Sequence, residues 1–100
     1  MGLFNLFGNK KERLGNLMER GAVILDVRSQ KEYNQGHIQG SKLIPLPELA
    51  ARTQEIVAWD KPVICCCASG IRSGKAAAHL RKQGVDAING GGWQSLQQKI

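Results

Sequence analysis

Pro62-Val-Ile-Cys-Cys-Cys67, then Ala68-Ser-Gly-Ile71, then Arg72 to Gln83 with Ala76, Ala77 and Leu80 at helical spacing: these residues set the architecture. A run that is apolar on both faces reads as a strand buried on both faces, the kind found inside a parallel sheet. The short loop after it carries Gly70 and hands over to a helix whose inner side is small and apolar, with Gly84 as its C′ residue. Upstream, Ala22-Val-Ile-Leu-Asp-Val27 is a second run of the same kind, ending in charge.

The remaining elements fall around these two strands. Ser29 and Glu32 have capping-box spacing and open a short helix that Gly36 closes. His37 to Ser41 is loop, Leu43-Ile44 a brief strand, and Pro47 suits the first turn of a helix carrying Leu49, Ala50, Ile56 and Val57. Val85 to Ile88 reads as a last strand, Gly90-Gly91-Gly92 as a turn, and Trp93 to Ile100 as a closing helix. Before the first strand, Leu14, Leu17 and Met18 mark a helix from Lys10 to Arg20, stopped by Gly21. Strands alternating with helices predict an α/β fold with a small, mainly parallel sheet flanked by helices. The expected organisation is an N-terminal tail and helix over residues 1–21 and a single domain over 22–100.

Composition narrows the function. The 100 residues are 42% hydrophobic and 22% charged, which suits one globular domain and excludes wholesale disorder. No apolar stretch is long enough for a transmembrane helix. Fourteen Lys and Arg against eight Asp and Glu give a net charge of +6, a surface that attracts anions. The basic residues are scattered rather than interleaved with aromatics, so a small anionic substrate fits better than nucleic acid. Cys65, Cys66 and Cys67 form an odd, adjacent set, a poor disulfide framework that points to a reducing compartment. The N-terminus lacks the charge order of a signal peptide, and Leu6 replaces the Ser or Thr of a myristoylation signal, so the expected location is cytoplasmic. Leu3, Phe4, Leu6 and Phe7 could form one apolar face, expected to fold onto the domain rather than to anchor it in a membrane.

Chemistry concentrates where the Cys67 strand meets its loop. In open α/β sheets, ligands sit at the carboxyl ends of strands. Gly70 lets successive N–H groups converge, with the positive end of a helix dipole behind them. Cys67 stands at the rim of that anion cradle. A free thiol with pKa about 8.5 is only about 3% ionised at pH 7, and a fall of two units makes it roughly three-quarters thiolate. Arg72 adds positive charge nearby, so Cys67 is a credible nucleophile without a histidine base.

Ile24-Leu-Asp-Val-Arg28, Glu32-Tyr33, Gly36-His-Ile-Gln-Gly40, Ile44-Pro45 and Cys67-Ala-Ser-Gly-Ile-Arg-Ser73 together resemble the single-domain rhodaneses, and Gly91-Gly92-Trp93 is similar to that family's closing segment. The likeness runs from about Ala22 to Trp93 and keeps the motifs in order. It implies a rhodanese-like fold, no cofactor, and sulfurtransferase activity. Cys67 would take the outer sulfur of thiosulfate, or of another persulfide donor, as a persulfide, then pass it to cyanide or to a thiol-bearing protein such as a thioredoxin. The family's active loop maps onto Cys67, Ala68, Ser69, Gly70, Ile71 and Arg72, with Arg72 binding the donor and Ser69 and the loop amides holding the sulfur. Asp26, Arg28 and Ser73 are expected to brace this loop. His37 is read as a hydrogen-bonding turn residue and His79 as helix surface.

Three other readings stand beside this one. Cys66 and Arg72 have the spacing of cysteine-dependent phosphatases, which would allow phosphatase or arsenate chemistry, although Cys65 replaces the histidine favoured there. A binding module relaying persulfide between protein partners would use the same Cys67. Zinc is the weakest, since adjacent strand cysteines point to opposite faces and no second ligand pair follows. Cys65 and Cys66 read as small buried hydrophobes. Cys65 shares the face of Cys67 one pleat lower, and Cys66 faces the other way.

Overall fold

The computed structural model of the chain describes residues 9–100, so the apolar residues Leu3 to Phe7 lie outside the described part. Its elements are α1 (Lys10–Glu19), β1 (Val23–Asp26), α2 (Gln30–Gln35), β2 (Lys42–Leu43), α3 (Leu46–Leu49, continued by a 3-10 turn over Ala50–Arg52), α4 (Thr53–Trp59), β3 (Val63–Cys67), α5 (Ile71–Lys82), β4 (Ala87–Gly92) and α6 (Trp93–Gln97). The four strands are all parallel, in the order β2-β1-β3-β4. The chain leaves β1 for β2 on one side and returns to β3 on the other, so the order reverses between β1 and β3. Loops diverge at such a switch point and leave a crevice at the carboxyl ends of the strands.

Alternation along the strands sorts their side chains into two cores. Leu25, Val63, Cys65 and Cys67 face one side, with Ala76, Ala77 and Leu80 of α5 and Leu49 and Ile56 from the α3–α4 segment. Ile24, Ile64 and Cys66 face the other, with Leu14 of α1 and Leu96 of α6. Each large aliphatic residue buried here contributes about 1.5–3 kcal/mol relative to exposure. The alanines of α5 let that helix lie close on β3, which fixes the start of the helix directly behind Cys67.

Two capping boxes anchor helix starts. Ser29 and Glu32 close the first turn of α2, as their spacing predicts, and Asn9 and Glu12 do the same for α1. Among the described residues no helix is long and apolar enough to cross a membrane.

The glycine run is the chief correction to the sequence reading. Gly90, Gly91 and Gly92 are not a turn; they complete β4. Cys65 pairs with Asn89 and Cys66 with Gly91, so Gly90 is an extra residue that shifts the register beside the loop after Cys67. A Cβ at Gly90 would lie 2.7 Å from the Ile64 side chain, and one at Gly92 would lie 2.8 Å from the Ala68 carbonyl oxygen. Glycine is required because two backbones approach closely, not because the chain reverses. His79 is also more than helix surface: it is half-buried, with Nε2 2.9 Å from the Thr53 hydroxyl.

Candidate active site

β3 ends in Cys67, and residues 68–70 curl back before α5 begins at Ile71. The reversal depends on Gly70, which has φ of 101° and little room for a side chain, since a Cβ there would meet the Gly91 backbone at 3.3 Å. The curl turns N–H groups inward. The Gly70 amide donates to Cys67 Sγ at 3.0 Å and the Ser73 amide at 3.4 Å, while Ser73 Oγ lies 3.2 Å from the sulfur. Cys67 is 1% exposed, at the floor of this cradle, and Ala68, Ser69 and Ile71 form its exposed lip.

Burial by itself would raise the Cys67 pKa. Hydrogen bonds from the Ser73 hydroxyl and from the amides of Ser73, Gly70 and Ser69 outweigh it, and the thiol ends below its ordinary value. Its neighbours go the other way. Burial pushes both Cys65 and Cys66 up to about 12, which keeps them as neutral thiols. No loop amide donates to either sulfur among the described hydrogen bonds, and Cys66 faces the opposite core from the cradle. The donors thus converge on the Cys67 frame.

Arg72 is not a free cation. Its two terminal nitrogens grip Glu32 at 2.8 and 3.0 Å across forty residues of chain. That carboxylate is held well down, to about 2, first by Arg72 and then by the Ser29 amide of its own capping box. In the sequence Glu32 stands out as a cap residue and as part of the Glu32-Tyr33 motif; nothing local announces its grip on Arg72. Asp26 and Arg28 are buried together, with Arg28 Nη2 to Asp26 Oδ2 at 2.7 Å. Arg28 also donates to the Gly36 carbonyl at 2.7 Å and lies over the Trp93 ring at 4.9 Å. Among the described residues this pair makes no hydrogen bond to 67–72; it fixes the wall beside the loop. His37 bonds the Tyr33 carbonyl through Nδ1 at 2.8 Å and stacks on the Tyr33 ring.

Two further residues escaped the sequence reading. Asn89 of β4 bonds both Ser73 and Gly70. Lys10, at the start of α1, reaches the same end of the sheet, where a Cβ on Gly91 would lie 3.8 Å from its ammonium. Next to the Glu32–Arg72 pair is a shallow cleft of about 290 Å³ lined by Arg28, Glu32, Gln35, Gly36, Trp93 and Gln94. A second cleft, of about 260 Å³ between Arg20, Val57, Lys61 and Asp86, opens at the opposite end of the sheet and holds no nucleophile. No cluster of three or more metal-binding side chains occurs among the described residues.

Residues 10–99 match the model of the rhodanese-like domain. Over 83 residues the chain is 43% identical to the uncharacterized protein YqhL of Bacillus subtilis, covering 81% of this chain and 65% of that relative. It is 39% identical over 80 residues to the thiosulfate sulfurtransferase GlpE of Pseudomonas fluorescens, covering 75% of this chain and 71% of GlpE. Among solved structures, a rhodanese-related protein of Thermoplasma volcanium superposes with a TM-score of 0.73 at 31% identity, covering 89% of this chain and 88% of that one.

Proposed function

The chain belongs to the rhodanese-like domain family, and from that premise we propose that it is a sulfurtransferase carrying a sulfane sulfur on Cys67. The observation that carries the reading is the set of donors aimed at one sulfur: Gly70 N–H at 3.0 Å, Ser73 N–H at 3.4 Å and Ser73 Oγ at 3.2 Å. They favour the thiolate over the thiol, and after transfer they face the negative charge of a persulfide.

The donor is thiosulfate. The Cys67 thiolate attacks its outer sulfur, a new S–S bond forms, the S–S bond of thiosulfate breaks, and sulfite leaves with the electron pair. Cyanide or an acceptor thiolate then attacks the outer sulfur of the persulfide and returns Cys67 to thiolate. No proton need move in either displacement, which suits a site whose nucleophile has no histidine beside it. The positive field that receives the dianion comes from the loop amides, the start of α5, the outer edge of Arg72 and the Lys10 ammonium. Because Glu32 already neutralises much of Arg72, the amides carry the larger share.

Intact-protein mass after brief thiosulfate treatment tests this. A gain of about 32 Da in wild type and in Cys66→Ser, lost in Cys67→Ser, supports the reaction and its frame. No gain in wild type would refute thiosulfate as donor, and loss only in Cys66→Ser would refute the frame.

A further inference from the structure

Asn89 interrupts the apolar part of β4, and both its amide oxygen and its amide nitrogen are engaged. Oδ1 accepts from the Gly91 amide at 2.9 Å and from the Ser73 hydroxyl at 2.7 Å, while Nδ2 donates to the Gly70 carbonyl at 3.0 Å. This orientation is the one that pairs every partner. A flipped amide would set an N–H group against the Gly91 N–H and an oxygen against the Gly70 oxygen. Oδ1 therefore faces Ser73.

Ser73 Oγ carries one proton and has two neighbours able to accept it, Asn89 Oδ1 at 2.7 Å and Cys67 Sγ at 3.2 Å. In the thiol form the arrangement is complete: Cys67 S–H donates to Ser73 Oγ, and Ser73 O–H donates to Asn89. When Cys67 loses its proton to solvent, the sulfur has nothing to donate and needs donors. The Ser73 hydroxyl then turns from Asn89 to the sulfur, and Asn89 Oδ1 keeps the Gly91 amide. Nδ2 meanwhile holds the peptide of Gly70, the residue whose N–H makes the shorter amide contact to the sulfur.

We infer that Asn89 is a positioning residue for the nucleophile: it holds the Ser73 hydroxyl while Cys67 is a thiol, yields it when Cys67 ionises, and pins Gly70 throughout. This rests on Cys67 as the reactive group but not on the identity of its donor. Of the charged groups near the cradle, Arg72 pairs with Glu32 and Arg28 with Asp26, Lys10 stands beside Gly91 with no ion pair among the described residues, and Cys65 and Cys66 are buried thiols.

The test is the pH dependence of Cys67 alkylation by iodoacetamide, followed by mass, in wild type, Asn89→Asp, Ser73→Ala and the double variant. Asn89→Asp is nearly isosteric, but it retains the Ser73 proton more strongly and drops the donor to Gly70. Its midpoint should rise by about one unit, slowing alkylation at pH 7 up to about tenfold. In the Ser73→Ala background the rise should shrink, since part of it passes through the hydroxyl. A midpoint within about 0.3 units of wild type, or an equal rise with and without Ser73, would overturn the inference. Wild type alone gives a second check that needs no variant to fold: the Asn89 side-chain amide resonances should titrate with the Cys67 midpoint, and a flat response would also overturn it. Neither readout involves thiosulfate. A protein that is alkylated as expected but gains no sulfur refutes the proposed reaction and leaves this inference standing.

Discussion

Replacing Glu32 by Gln isolates the ion pair on Arg72, because Gln can still accept from the Ser29 amide and keep the capping box. The fall of the Glu32 pKa from 4.5 to about 2 corresponds to about 3.4 kcal/mol if none of it is screened. Arg72 and Glu32 are 37% and 34% exposed, so solvent reduces the net effect to about 1 kcal/mol or less. For a domain of this size that is a fall in Tm of about 4–8 °C at neutral pH. The sign follows from a depressed carboxylate. Its contribution is fully present above 4.5 and is lost as the pH falls toward 2, half of it near about pH 3. Thermal melts of wild type and Glu32→Gln, followed by circular dichroism from pH 7 to pH 3, should therefore converge as the pH falls. A Tm difference of constant size across that range would show that Glu32 acts through packing, and the ion-pair argument would fail.

Other substitutions probe the rest of the site. The alkylation rate of Cys67 in wild type should rise through a midpoint below the ordinary thiol range, and a midpoint above it would contradict the donor geometry. Asp26→Asn breaks a buried pair and leaves the Arg28 charge uncompensated, costing about 3 kcal/mol in urea unfolding; a loss under 1 kcal/mol would mean that the Gly36 carbonyl and Trp93 suffice. Gly92→Ala places a methyl group against the Ala68 carbonyl oxygen and should cost about 1–3 kcal/mol while slowing sulfur transfer, measured on the same preparation. Arg72→Lys gives up the two-pronged grip and should raise the thiosulfate KM about tenfold, with little change if Arg72 serves only to hold Glu32.

Local signals made much of the fold legible. β1 and β3 announce themselves as runs apolar on both faces, and the Ser29–Glu32 spacing places α2 to the residue. Cys67 was legible for a related reason, since a cysteine at a strand end before a glycine loop and a helix has only one environment to occupy. What stayed hidden acts across distance. Glu32 meets Arg72 only because β1 and β3 lie side by side, and Asn89 meets Ser73 only because β4 pairs with β3, the strand that leads into Ser73's helix. Gly90 to Gly92 misled because glycine has two uses, to turn a chain and to let another chain come close. Composition does not distinguish them. His79 hid for a similar reason: its Thr53 partner lies on a different helix.

The pleat of β3 has a practical consequence. Three chemically identical side chains stand in a row, yet one faces the cradle and the other two are sealed in opposite cores. Because burial holds Cys65 and Cys66 as neutral thiols, labelling of the native molecule with a water-borne maleimide is expected to stop at one cysteine. A fluorophore can therefore be installed at one place without first stripping out the others. The number of labels per molecule then becomes a clock for breathing: each step from one label to two or three records an event in which β3 came away from its neighbours.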